Sequence, residues 1–118
     1  MKVLIADDDR TILALLGDML ADLGHAVVAA SNGAEAVEVA ARERPDVLVL
    51  DFLMPKLSGL DALRIMRERG LTMPAVLLTA ISDSTIRELD DLQTPAAILE
   101  KPFRRRDIER ALERAVRP

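Results

Sequence analysis

Five short apolar runs recur along this chain: Val3 to Ala6, Ala26 to Ala30, Val47 to Leu50, Ala75 to Leu78 and a weaker one from Ala96 to Leu99. They limit its architecture more than any other feature. A strand that is apolar at every position, and not only at alternate ones, has both faces covered, as when helices pack on each side of a parallel sheet.

Helical spacing fills the intervals between the runs. Ile12, Leu15, Leu16, Met19, Leu20 and Leu23 follow at three- and four-residue steps, and Gly24 suits the end of the helix they predict. Gly33 to Arg44 and Gly59 to Arg69 predict two more, closed by Pro45 and Gly70, and Ser84 to Leu92 predicts another. The stripe returns in Ile108, Ala111, Leu112, Ala115 and Val116, with Glu and Arg on the opposite side. Alternation with short connections, under the right-handed crossover rule, predicts a doubly wound α/β fold. Its five-stranded parallel sheet has the flavodoxin-like order 2-1-3-4-5, with helices on both faces. With 118 residues and neither repeat nor linker, residues 1–118 are expected to form a single domain.

Composition removes several classes of function. Half of the residues are apolar, 31% are charged and the formal net charge is -4, so nothing resembles the basic face of a nucleic-acid binder. The one basic run, Arg104 to Arg106, is flanked by Asp107 and Glu109 and reads as a solvated helix start. Direct nucleic-acid binding is not expected. Without cysteine there is no disulfide, thiolate metal site or cysteine nucleophile, and a cytoplasmic location is expected. The apolar start stops at three aspartates, which fits neither a signal peptide nor a membrane span of about 20 residues. His25, the single histidine, opens the second strand and reads as a surface residue. Neither glycine-rich nucleotide motif is present.

In a doubly wound sheet, ligands collect outside the carboxyl ends of the strands. The residues just past the apolar runs are Asp7, Asp8 and Asp9, then Asp51, Thr79 and Lys101. Carboxylates gathered so closely repel one another unless a shared proton or a hard cation relieves them, and Mg²⁺, which prefers oxygen ligands and bridges carboxylates to phosphate, is the natural choice. A carboxylate can also attack phosphorus to form an acyl phosphate, while a lysine and a hydroxyl hold the other phosphoryl oxygens. Each residue has an ordinary reading as well. Asp9 suits a helix N-cap, Asp7 and Asp8 could be solvated acids, Thr79 a strand residue and Lys101 a surface amine. Their joint placement favours the chemical reading.

Four stretches in order, Val3 to Asp9, Val47 to Pro55, Leu77 to Ala80 and Lys101 to Phe103, resemble the response-regulator receiver domain of bacterial two-component systems across essentially the whole chain. The resemblance implies a phosphorylation-dependent signalling switch that is no enzyme in the ordinary sense, though it takes part in its own phosphotransfer and autodephosphorylation. It implies Asp51 as phosphoacceptor, and Mg²⁺ (or Mn²⁺) held by Asp8 and Asp51 directly, Asp7 through water and the Leu53 carbonyl. Lys101 would pair with the phosphoryl group, and the Thr79 hydroxyl would move onto it. The family further implies a cis Lys101-Pro102 bond and a glycine at Gly59. The expected partners are a sensor histidine kinase or histidine phosphotransfer protein, a downstream protein or a further effector domain, with a second copy of the chain as a further candidate. Apolar residues opening the first helix, with Pro102 and Phe103, resemble the surface offered to the phosphoryl donor.

Three departures from the family pattern stand out. Ile98 occupies the place of a switch aromatic, and its stiff side chain has no polar tip, so the change of surface is expected to run through the predicted helix at 84–92 and its loops. Gln93-Thr94-Pro95 replaces the usual Gly-Ala approach to the last strand. Leu53 and Ile81 stand at the positions that tune phosphoryl lifetime; both are apolar and cannot orient water, which predicts slow self-dephosphorylation.

Two alternatives remain open on the residues. Asp7-Asp8-Asp9-Arg10-Thr11 also resembles the first motif of haloacid dehalogenase-type phosphatases, with Asp7 as nucleophile, although that reading leaves Asp51 unexplained. The same fold could also serve as a non-phosphorylated interaction module.

Overall fold

The computed structural model describes residues 1–79 and 96–117. The elements are β1 (Lys2–Ala6), α1 (Arg10–Asp22), β2 (Ala26–Ala30), α2 (Gly33–Glu43), β3 (Val47–Asp51), α3 (Gly59–Glu68), β4 (Ala75–Thr79), β5 (Ala96–Glu100) and α4 (Arg105–Val116). The five strands form one parallel sheet in the order β2-β1-β3-β4-β5, as the alternation of patterns predicts. The helix expected over 84–92, the segment 93–95 and Ile81 lie outside the described residues.

The unbroken apolar runs are explained by where alternate residues go. Successive strand side chains point to opposite faces. Leu4, Ala6, Leu48, Leu50, Ala75 and Leu77 pack with α2 and α3 on one side of the sheet. Val3, Ile5, Val47, Val49, Val76, Leu78 and Leu99 pack with α1 and α4 on the other. The central strand β3 is buried at every position.

Helix boundaries follow the local chemistry. The Asp9 side chain accepts from the amides of Thr11 (2.8 Å) and Ile12 (3.4 Å), which is the N-cap role its position predicts. α1 ends one residue earlier than its stripe, with Leu23 as C-cap and Gly24 at φ 91°. Leu15 does not join the core: it is exposed, because it is turned by about 100° from Leu16 on the helix. Leu16 and Leu20 carry the buried face, helped by the half-buried Leu13. Arg44, read as the last residue of the second helix, is its left-handed cap at φ 48°. The basic run is a helix start in solvent: Arg104 donates its amide to Asp107 Oδ2 (2.8 Å), and Arg105 pairs with Asp22 at 2.7 Å.

One side-chain-to-backbone brace leaves no trace in the hydrophobic periodicity. The Arg67 guanidinium, on α3, donates to the carbonyls of Leu71 (2.9 Å) and Met73 (2.6 Å), while its Nε is buried without a partner. It clamps the turn that feeds β4.

Candidate functional site

Among the described residues, the buried polar or charged side chains are Asp7, Asp51 and Thr79. All three stand where strands end. Burying such groups is costly unless they are paired, so their concentration at one edge marks a built site. Asp51 and Thr79 are the last residues of β3 and β4, paired in register with Leu78 and Glu100, whereas Asp7 lies one residue past β1.

Backbone hydrogen bonds fix these ends relative to one another. The Asp7 amide donates to Ala30 (3.2 Å), the Phe52 amide to Leu78 (2.8 Å) and the Lys101 amide to Thr79 (2.9 Å). Lys101 follows β5 directly, and its bond to Pro102 is cis, as the family resemblance implies. Its Nζ stands 3.4 Å from Asp7 Oδ2 and 3.4 Å from Asp51 Oδ1. The other oxygen of Asp7, Oδ1, accepts from the Asp9 amide at 2.9 Å. Asp9 therefore does two things: its side chain caps α1 and its amide holds Asp7. The Asp-x-Asp spacing allows that turn.

Asp7, Asp8 and Asp51 each bring a carboxylate oxygen to within 4.8 Å of the others, with Asp8 exposed at the mouth. Burial pushes the Asp51 carboxyl up to about 6, reinforced by the neighbouring Asp7 charge and only partly offset by Lys101. Burial pulls the Lys101 amine down, but Asp51 and Asp7 outweigh it and the net shift is upward. The cluster thus carries more negative charge than its lysine neutralises. Oxygen donors at that spacing, with one member open to solvent, fit a hard cation such as Mg²⁺.

Leu53, in the loop after β3, has an exposed side chain (71%). Ile98 is half-buried on β5, in register with Leu77. His25 lies at the opposite end of the strands, its Nδ1 3.1 Å from the Met1 nitrogen, and has no part in the site. Phe103 packs half-buried against the α1 and α4 core. Among the described residues no helix is long and apolar enough to cross a membrane.

The family described as the response regulator receiver domain matches residues 3–113. Response regulator MprA of Mycobacterium leprae is 40% identical over 122 residues, covering 100% of this chain and 53% of that protein. The alkaline phosphatase synthesis transcriptional regulatory protein PhoP of Bacillus subtilis is 34% identical, covering 98% and 48%. The chain therefore spans about half the length of these curated relatives. Among solved structures, the chemotaxis protein CheY4 of Vibrio cholerae superimposes with a TM-score of 0.90 at 28% identity, covering 97% of each chain.

Proposed function

This chain belongs to the response regulator receiver family, whose members are phosphorylation-dependent signalling switches, and on that premise we propose that Asp51 is its phosphoacceptor. The observation that carries the assignment is the arrangement of charge. Three carboxylates share one small volume, and a single ammonium stands 3.4 Å from both Asp7 and Asp51. The family match does not favour the phosphatase and silent-module alternatives.

Receiver domains generally bind Mg²⁺, and here Asp8 and Asp51 would hold it directly, with Asp7 through water and the Leu53 carbonyl as a further ligand. Bound there, the ion supplies neutralisation of charge on the carboxylates and on the phosphoryl oxygens. The rest falls to the chain. Asp51, ionised, attacks the phosphorus of a donor; the new acyl-phosphate bond forms as the bond to the donor's leaving group breaks. Lys101 donates to a phosphoryl oxygen, and the Thr79 hydroxyl moves onto another. Asp7, held by the Asp9 amide, keeps Lys101 aimed at the reacting edge.

The phosphoryl group would come from a sensor histidine kinase or a histidine phosphotransfer protein. A downstream protein or effector domain would read the altered surface, with homodimerisation as one form of that output. Residues 1–118 act as one receiver domain, cytoplasmic, with self-dephosphorylation slowed by the apolar Leu53 and Ile81.

The test uses a small phosphoryl donor, acetyl phosphate or phosphoramidate, with and without Mg²⁺, and intact mass as the readout. A Mg²⁺-dependent gain of one phosphoryl mass, absent in Asp51→Ala, is expected. An adduct that survives Asp51→Ala, or donor turnover that depends on Asp7 alone, would reject the assignment.

A further inference from the structure

Gly33, the first residue of α2, lies outside the acidic cluster and has no left-handed backbone that would call for glycine. What it lacks is room. A Cβ there would overlap the Leu57 carbonyl oxygen and stand 2.8 Å from Leu57 Cβ and 3.0 Å from its carbonyl carbon. Two of these atoms are backbone and cannot swing aside as a flexible side chain would. Gly17 on α1 is a useful contrast, since a Cβ there meets only Ile5 Cδ1, at 3.9 Å.

Leu57 belongs to the loop over 52–58 that joins β3 to α3. That loop is short and tied internally: the Leu57 amide donates to Pro55 (2.7 Å) and the Gly59 amide to Phe52 (3.0 Å). Lys56 already holds a left-handed φ of 69°. At the far end, a Cβ on Gly59 would overlap the Asp51 carbonyl oxygen, so α3 is closed up against Asp51 as Gly33 is against Leu57. With both ends seated and the middle braced, a push at Leu57 passes along the chain towards Leu53 and Asp51.

We propose that Gly33 is a positioning residue for cation binding: by letting α2 seat the backbone of Leu57, it sets where the loop presents Leu53 to the acidic cluster. This rests on the site reading above, in which Asp8, Asp51 and the Leu53 carbonyl hold the ion. A substituted Gly33 lifts the loop and weakens binding while all three acids remain in place.

The experiment is Mg²⁺ titration by calorimetry on the wild type, Gly33→Ala and Gly17→Ala, together with amide NMR spectra recorded in chelator. Gly33→Ala is expected to weaken Mg²⁺ by about tenfold, as loss of a supporting residue behind metal ligands typically does, with Gly17→Ala unchanged. Its amide shifts should move over 52–57 and stay fixed in β1, a pattern that general destabilisation does not produce. Unchanged affinity in Gly33→Ala, with wild-type binding intact, overturns the positioning role alone. Failure of the wild type to bind overturns the site reading beneath it. If Gly33→Ala does not fold, the wild type decides: the Gly33 and Leu57 amides must shift on Mg²⁺ addition with the same midpoint as Phe52, and their silence would overturn the proposal.

Discussion

Lys101 Nζ stands 3.4 Å from Asp51 Oδ1 although β4 separates the strands that carry them, so the lysine reaches across the end of a neighbouring strand to the buried carboxylate. The pair is unequal, because the lysine offsets only part of what burial and Asp7 do to Asp51. Replacing it with Lys101→Met is expected to raise the Asp51 titration midpoint above about 6, followed by carboxyl carbon NMR shifts against pH. A midpoint that stays put or falls would show that Lys101 does not act on Asp51 electrostatically.

Asp51 itself weighs against stability at neutral pH. Its carboxyl is raised from 3.8 to about 6 in the folded chain. Below 3.8 both states are protonated and no penalty exists. As pH rises from there through about 6, the unfolded chain ionises first and stability falls, by about 3 kcal/mol once both are ionised. Asp51→Asn is therefore expected to stabilise the metal-free domain by about 1–3 kcal/mol at pH 7 and by well under about 1 kcal/mol at pH 4. Urea unfolding in chelator at the two pH values measures the difference; an equal gain at both would contradict the burial argument.

Cation binding should offset part of that penalty. At a Mg²⁺ concentration ten times its dissociation constant, the wild type gains about 1.4 kcal/mol. Asp8→Asn removes the exposed carboxylate of the acidic cluster without disturbing the core and should abolish most of the gain, with EDTA restoring the original midpoint. Persistence of the full Mg²⁺ effect in Asp8→Asn would place the ion elsewhere.

Phosphoryl lifetime offers a kinetic check. Leu53 is exposed beside the site yet has no polar atom in its side chain with which to orient water. Leu53→Asn combined with Ile81→Glu is expected to speed loss of the phosphoryl group by about tenfold, below the effect of an optimally placed base. Radiolabel or mass decay curves measure it, and an unchanged half-life refutes the idea.

Arg67→Lys tests the brace under β4. A lysine cannot span the carbonyls of Leu71 and Met73 together, and a buried carbonyl left unpaired costs about 1–3 kcal/mol. The denaturant midpoint should fall accordingly, with cation affinity retained.

By itself the sequence determined the five strands and their order, the four helices found among the described residues and the chemical set at the strand ends. Each of these depends on local patterning: a segment covered on both faces must be apolar throughout, and a connecting helix must carry a stripe. Val47 to Asp51 and the capped start at Asp9 were legible for that reason. The tertiary structure alone decided how those residues meet. Nothing in the spacing says that Lys101 finds Asp7 across 94 positions, that the Asp9 amide occupies the remaining oxygen, or that Leu15 turns to solvent while Leu16 is buried. Arg67 and Gly33 were invisible for the same reason, since one answers to two carbonyls in a turn and the other to the backbone of a loop 24 residues away. Periodicity records which face of a segment is covered; which atoms come within hydrogen-bonding or colliding distance depends on strand register and loop seating, which exist only once the sheet has formed.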